Sequence, residues 1–336
     1  MTNNESLVQQ AVDLLRKRGQ ESLERAKQIM LQEKILHQPL QEALCYFINE
    51  VFPDIMHPGL LSVYCEAVGG DPNETAQVSA AMVLLVAAAD LHDDIIDESN
   101  CKNGKPTVLG NYGKDIAVLA GDAFLIDGIY LLHEATADFS DKKRSAVLAL
   151  IKQAFFDLSS AEAEEATYKG NIDLSGREYL ELIKRKTAVS EATARIGAIL
   201  GDATTNEVQT LGEIGRIIGL LSTMRDEFID VFEPDELSNR ASNEILPLPV
   251  LGVFQDPEKK CGVTKLLKGH KITKRDIKKI VDIVMEAKET EELKREMQSL
   301  VKEGLHLISG LHGATDTLRL LIESAAEDIV ETPKRK

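Results

Sequence analysis

Tryptophan is absent from the 336 residues, aromatic side chains make up only 4%, and cysteine occurs four times. The four thiols (Cys45, Cys65, Cys101 and Cys261) lie far apart with no Cys-x-x-Cys pair, which excludes a disulfide framework and a zinc site. Positive charge is short as well. Lys and Arg number 39 against 55 Asp and Glu, a formal charge of -16 that argues against nucleic acid and against simple adsorption to anionic membrane. An acidic protein that handles an anionic substrate therefore needs a bound cation or a focused basic patch. The chain also lacks runs of alternating strand residues, internal repeats and any linker long enough to separate domains. It opens on MTNNESLVQQ, polar throughout, so no signal peptide is expected, and reduced thiols suit a cytoplasmic protein.

What remains is helical periodicity. Hydrophobic residues make up 43% of the chain, enough for a sizeable core. An amphipathic helix is expected from Glu5 to Leu31, with Leu7, Ala11, Leu14 and Leu15 on one face. Pro39 opens a second helix that Pro53 and Pro58 end, and an apolar helix from Leu60 to Val68 closes at Gly69-Gly70. Asp71, Pro72 and Glu74 then make a capping-box-like start for the central helix. Further helical patterns follow at 116–135, 142–168, 175–200, 206–232, 276–287, 291–308 and 315–330. The expectation is an all-α fold of about a dozen helices, one domain over 1–336, with 1–40 as an N-terminal helical extension and 331–336 as a disordered tail.

The central stretch, Ala76 to Asp97, reads AQVSAAMVLLVAAADLHDDIID. Ala80 to Ala89 is apolar all round, so the helix should be buried, and Ser79 and Asp90 leave it too short to span a membrane. Asp93, Asp94 and Asp97 fall within one turn at its end. An isolated acidic trio is usually a solvated helix end. This one continues a buried helix, where unpaired carboxylates are costly, and a Mg²⁺ ion would resolve the conflict. Asp226, Glu227 and Asp230, in RDEFID, repeat the pattern after the apolar stretch Ile214 to Met224. Two such ends facing each other could hold Mg²⁺ ions and, through them, a diphosphate.

DDIID, NGKPTVLGNYGKDIAVLAGDAFL, YLELIKRKTA and RDEFID occur in the order found in the trans-isoprenyl diphosphate synthases, the polyprenyl synthetase family, which the chain resembles over roughly Glu42 to Glu327. The resemblance implies a single-domain bundle of long helices around a deep central cavity. Mg²⁺ at its mouth would grip an allylic prenyl diphosphate and draw the diphosphate away, leaving an allylic cation for an acceptor. It places metal at Asp93, Asp94, Asp97, Asp226 and Asp230, and the diphosphate at Lys102, Lys186 and Arg240. Thr187, beside Lys186, would turn its oxygens toward the cation. It also implies a dimer, either of identical chains or with another prenyl synthase subunit.

The acceptor side departs from the family. In the segment before Gly69-Gly70, where the family usually has GGKRxRP, this chain has FPDIMHP, so Asp54, Ile55 and His57 replace basic residues. Val86 stands for the usual histidine, Lys102-Asn103 for paired arginines, Ser222-Thr223 for Phe-Gln, and NEILPLP for the longer GK-T-LP segment. Each lost charge-assisted hydrogen bond to a diphosphate is worth ~1.5–3 kcal/mol. The sequence thus favours prenyl transfer to an acceptor other than isopentenyl diphosphate. Ordinary chain elongation and a subunit of a heteromeric synthase are the alternatives. Cyclisation is disfavoured by the aromatic poverty, since cation-stabilising walls need aromatic faces.

In the family, side chains on the turns above the first acidic motif stop the prenyl tail. Ala88 and Ala89 offer no obstruction there, and Leu85 and Met82 lie deeper at helical spacing. A substrate longer than farnesyl is expected.

Overall fold

The computed structural model describes residues 6–52, 54–102, 104–267 and 272–330, without the side chains of 328 and 330. The terminal stretch 331–336 lies outside them, as does Asn103. Among the described residues the chain forms seventeen α-helices and one hairpin of two-residue strands, so the all-α expectation holds. In order, the helices are α1 (Leu7–Gln32), α2 (Gln38–Tyr46), α3 (Met56–Glu66), α4 (Ala76–Ile96), α5 (Val108–Tyr112) and α6 (Lys114–Ala135). They continue with α7 (Asp141–Thr167), α8 (Gly176–Lys186), α9 (Ala188–Leu200), α10 (Thr205–Asp230), α11 (Pro234–Asn243) and α12 (Leu248–Val253). The last are α13 (Pro257–Leu267), α14 (Lys274–Met285), α15 (Lys288–Ile308), α16 (Asp316–Ser324) and α17 (Glu327–Val330). The hairpin, β1 (Cys101–Lys102) against β2 (Lys105–Pro106), follows α4 and was not foreseen from the sequence. Four residues carry too little periodicity to register as strands.

Local chemistry sets the helix ends. Ser175 and Thr204 open α8 and α10 with full capping boxes, each reciprocated by a glutamate three residues on, Glu178 and Glu207. The start expected at Asp71 is different. Its carboxylate accepts from Asn73 N at 2.9 Å and caps a 3₁₀ turn over Pro72–Thr75, and α4 begins only at Ala76. The single pattern over 175–200 divides into α8 and α9 at Thr187, whose hydroxyl donates to Lys184 O at 2.7 Å.

The buried apolar residues form two clusters. One is built on α2, α4 and α6, the other on α8 to α16. The helices α3 and α9 serve both: Leu61 and Cys65 join the first and Leu60, Val63 and Tyr64 the second, as a helix buried all round must do. The N-terminal helix is part of this packing, not an appendage. Leu15 and Gly19 on α1 touch the start of α3 so closely that a Cβ on Gly19 would lie 2.8 Å from Ile55 O. On the other side of α4, Leu85 sits against the α6 backbone at Gly128, where an added Cβ would meet Leu85 Cδ2 at 2.8 Å. Seven residues on, His92 repeats the contact at Gly121. This close seam fixes the rotation of α4, and so decides which of its residues face the cavity.

Candidate active site

A cavity of ≈ 850 Å³ opens beside the end of α4. Its walls are Val86, Ala89, Asp90, Asp93 and Ile96 from α4, Phe155, Leu158, Glu162 and Ala166 from α7, and Lys102 from the hairpin. The size suits a drug-sized or prenyl ligand, and the mostly apolar lining with a few charges at one end is the usual form of a binding site.

At the mouth the first acidic motif splits by orientation. Asp93 lines the cavity, and burial, reinforced by repulsion from Asp97, pushes its carboxyl up to about 6. Asp94 is turned inward, 2% exposed, with Lys102 Nζ 3.5 Å from Oδ1; burial pushes it up to about 7 against that cation. Lys102 also reaches Asp90 at 2.7 Å. Asp97 pairs with Lys169 at 3.1 Å, and Lys169 donates to Ile96 O as well. Lys169 was not singled out in the sequence, because it follows α7 in a turn far from either acidic motif.

Lys186, at the end of α8, meets two carboxylates that sequence reasoning also missed. Glu162 accepts at 2.9 Å and Glu165 shares the same ammonium. Burial pulls the Lys186 pKa down, but Glu165, Glu162 and Asp93 together hold it above the ordinary value. Glu162 rises to about 7, mainly through burial. The spacing of Glu162 and Glu165 in AEAEEA was the available signal, one acidic face on an otherwise alanine-rich helix.

The second motif is organised by Arg240. This side chain was expected at the diphosphate, and the structure corrects that reading. Arg240 is buried, its Nε donating to Ile245 O at 2.7 Å, Nη1 to Asp230 at 2.5 Å, and Nη2 to Tyr179 Oη and Glu227. Glu227 accepts in addition from Leu248 N at 2.6 Å. The donors that would meet a diphosphate are already engaged inside the fold. Glu227 and Arg240 thus anchor the end of α10, and Arg240 orients Asp230. Glu244, 3.7 Å from Arg240, lies near enough to Asp97 and Asp93 for their charges to add to the burial that raises it to about 7, so it links the two acidic ends.

Asp226 lines a second, smaller cleft of ≈ 310 Å³ with Arg225 and Ser222 from α10, Leu15 from α1 and Leu60 from α3. Met56 borders both spaces. Burial pushes Asp226 up to about 6, with Arg225 opposing. The acceptor-side segment stands at this border. Asp54 and His57 both line the main cavity, and His57 Nδ1 is 3.0 Å from Asp54 Oδ2.

The tail wall also departs from the sequence reading. Of the four α4 residues expected to line it, only Ala89 does. Ala88 is 2% exposed and Met82 4%, both in the core, while Leu85 is pressed against Gly128. The cavity face is Val86, Ala89, Asp90 and Asp93, about 100° round the helix from the expected one.

The donor set fits a hard divalent cation. It is all oxygen, and Asp94 Oδ2 is buried with no hydrogen-bond partner. Among the described residues no three potential ligands already converge on one point. Mg²⁺ needs few protein carboxylates and completes its shell with substrate phosphate and water. The carboxylates that would hold it are Asp93, Asp94 and Asp97 of α4 and, from the neighbouring cleft, Asp226, and the ion would supply charge to stabilise a departing diphosphate.

Comparison with known proteins identifies the family. The short chain isoprenyl diphosphate synthase of Methanothermobacter thermautotrophicus is 31% identical over 229 residues, covering 68% of each chain. The large subunit 1 of the heterodimeric geranylgeranyl pyrophosphate synthase of Arabidopsis thaliana chloroplasts is 31% identical over 208 residues, 57% of this chain and 54% of its own. The crystal structure of geranylgeranyl pyrophosphate synthetase from Pyrococcus horikoshii superposes with a TM-score of 0.82 over 97% of this chain and 99% of that one, at 22% identity, a likeness of fold. The sequence pattern of the polyprenyl synthetase family matches residues 55–284, and the chain belongs to that family.

Proposed function

We propose that this chain is a Mg²⁺-dependent prenyltransferase that ionises an allylic prenyl diphosphate and extends it with isopentenyl diphosphate. One observation carries the reading: an apolar cavity of ≈ 850 Å³ whose charged end is Asp93 and Lys102, in a chain of this family. A leaving diphosphate develops negative charge that Mg²⁺ on Asp93, Asp94, Asp97 and Asp226 would stabilise, with Lys102 and Lys186 beside it. The walls of Val86, Ala89, Phe155 and Leu158 keep water from the cation. Thr187, buried behind Lys186, would set that lysine's position. The elongating relatives support this acceptor over the one favoured by the sequence reading.

Transfer to a different acceptor stays as a second reading, favoured by one observation. The acceptor end of the cavity presents Asp54 and His57 where a second diphosphate would need cations. Incubating the protein with Mg²⁺ and geranyl, farnesyl or geranylgeranyl diphosphate, with and without isopentenyl diphosphate, decides between them. Elongated products support the first reading, release of diphosphate unchanged by isopentenyl diphosphate the second. No release from any allylic diphosphate sinks both.

We further propose one domain over 1–336, a cytoplasmic location and a dimer. Residues Leu119, Ile126, Ile129 and Tyr130 of α6, with Phe155 and Phe156 of α7, leave a broad apolar face exposed. By length and composition α6 could cross a membrane. It carries Asp115, Asp122 and Asp127, however, and packs along α4, so a second subunit is the better cover for its outer face. Whether that subunit is identical is read from the mass of the purified assembly.

A further inference from the structure

Asp54 and His57 form a pair that helix capping alone does not account for. The Asp54 side chain is 8% exposed. One oxygen, Oδ1, accepts from Met56 N at 2.9 Å and His57 N at 3.2 Å, filling the free amide positions at the start of α3. The other, Oδ2, faces His57 Nδ1 at 3.0 Å. A carboxylate can only accept, so Nδ1 carries a proton, and in the neutral imidazole Nε2 holds the free lone pair. Nε2 makes no hydrogen bond to a described residue, and His57 lines the catalytic cavity with Asp93 and Lys102. A carboxylate that fixes the tautomer of a histidine lining a reaction chamber is the arrangement of a general base. An anion-binding helix start is the competing use, but Asp54 already occupies it with negative charge.

We infer that His57 Nε2 takes the proton that the acceptor must lose, with Asp54 as its positioning residue. This rests on the reading that an allylic cation forms and meets an acceptor in this cavity. The C1–O bond of the allylic diphosphate breaks and its electron pair leaves with the diphosphate. The acceptor's π pair forms the new bond to C1, leaving a cation one carbon along. An adjacent C–H bond then gives its pair to a new double bond and its proton to Nε2. With water as acceptor, an oxygen lone pair forms the bond and the O–H proton goes to Nε2.

Other charges face this histidine. Asp90, His92 and Asp93 do so from α4, Lys102 from β1 and Glu162 from α7, with Arg225 and Asp226 of α10 beyond Met56. None is altered by a change at Asp54, so a difference between wild type and Asp54→Asn reports on His57. Burial lowers the His57 pKa, but the Asp54 charge and hydrogen bond outweigh it, and the net shift is upward.

The experiment compares wild type, His57→Gln, His57→Arg and Asp54→Asn with Mg²⁺ and farnesyl diphosphate, with and without isopentenyl diphosphate. It also measures farnesyl diphosphate binding directly, to show that each variant is folded. In whichever arm the wild type turns over, kcat should fall about 100-fold in both His57 variants with binding kept, within the usual range for losing a general base. Free imidazole should restore part of the rate to His57→Gln. In Asp54→Asn the acid limb of the pH profile should move to lower pH, because His57 loses the charge that raises it. Arginine cannot accept a proton but binds anions well. Activity kept in His57→Arg, or a raised KM for isopentenyl diphosphate at unchanged kcat in His57→Gln, would make His57 an anion anchor and overturn the inference. An acid limb unmoved in Asp54→Asn would overturn the positioning role. An inactive wild type is a failure of the proposed function itself, and is told apart by that.

Discussion

Lys169 reaches from the turn after α7 to the tip of α4, its Nζ 3.1 Å from Asp97 Oδ1. The same pattern recurs around the mouth, with Lys102 on Asp94 and Arg240 on Asp230. Each cation balances a carboxylate that a metal would otherwise neutralise. Lys102 and Arg240 each pair with a second carboxylate, Asp90 and Glu227, whereas the other partner of Lys169 is the Ile96 carbonyl, so Lys169 is the one that competes most directly with an incoming ion. Half-exposed pairs of this kind are worth ~0.2–1 kcal/mol. Lys169→Ala should therefore bind Mg²⁺ up to about five-fold more tightly in calorimetry with inorganic diphosphate present, since 1.4 kcal/mol is about ten-fold. Weaker Mg²⁺ binding in this variant would place Lys169 on the diphosphate instead.

The carboxyls of Asp93, Asp94 and Asp226 lie at about 6, 7 and 6, raised chiefly by burial. A carboxyl raised in the folded state favours folding below its unfolded pKa, and that contribution is lost as pH rises through the folded value. The metal-free protein should therefore lose stability between about pH 4 and 7 from these groups. Mg²⁺ binds the ionised forms and reverses the loss. Its stabilisation, read as a shift in Tm, should be near zero at pH 5 and reach several degrees at pH 8. A shift independent of pH would mean that the ion binds elsewhere.

Metal capture is tested more directly by removing ligands. Asp93→Ala or Asp226→Ala should lower diphosphate release about 100-fold or more, as loss of a preorganised charge clamp does. The cheap control is chelation of Mg²⁺, which should abolish turnover reversibly. Near-normal turnover in Asp93→Ala would falsify the assignment of the mouth.

How much of this was legible in the sequence depended on whether one helix or several set the answer. The acidic ends of α4 and α10 were plain because each lies within one turn of one helix, and so was the all-α fold, since helical periodicity is a local property. Arg240 is engaged inside the fold by Tyr179 of α8, Glu227 of α10 and the Ile245 carbonyl after α11, partners that no single-helix pattern brings together. Lys169 and Glu162 were missed for the same reason. The tail wall failed differently. Residue spacing on α4 was right, but its rotation is set by Leu85 seated on Gly128, a contact between helices that no single-helix pattern encodes.

That seam makes its own prediction. Gly128→Ala gains helix propensity of about 1 kcal/mol. Against this, its methyl group would stand 2.8 Å from Leu85 Cδ2 and 3.1 Å from Leu85 N, so backbone must move as well as side chain. Overpacking of this kind costs about 1–3 kcal/mol, which outweighs the gain in propensity. The variant should melt several degrees lower, and Leu85→Ala in the same chain should recover part of the loss. A Gly128→Ala protein as stable as wild type would mean that α4 and α6 can separate freely, and the rotation of α4 would then not be fixed by this contact.

The rotation decides which substitution controls the prenyl tail. Ala89 and Val86 face the cavity, one turn apart, while Ala88 points into the core at 2% exposure. A phenylalanine at Ala89 would fill the space directly above Asp93, and each turn of helix spans ~5.4 Å, about the length of one isoprene unit. Ala89→Phe should therefore shorten the longest prenyl chain accepted by one unit or more while leaving Mg²⁺ binding intact. Val86→Ala should lengthen it. Ala88→Phe should do neither, and should lower Tm instead, because it overpacks a closed core at a cost of about 1–3 kcal/mol. Product length by chromatography and Tm by calorimetry read the two effects separately. If Ala88→Phe shortens the product and Ala89→Phe does not, the tail runs along the α6 side of α4, and the cavity face described above is not the one the substrate uses.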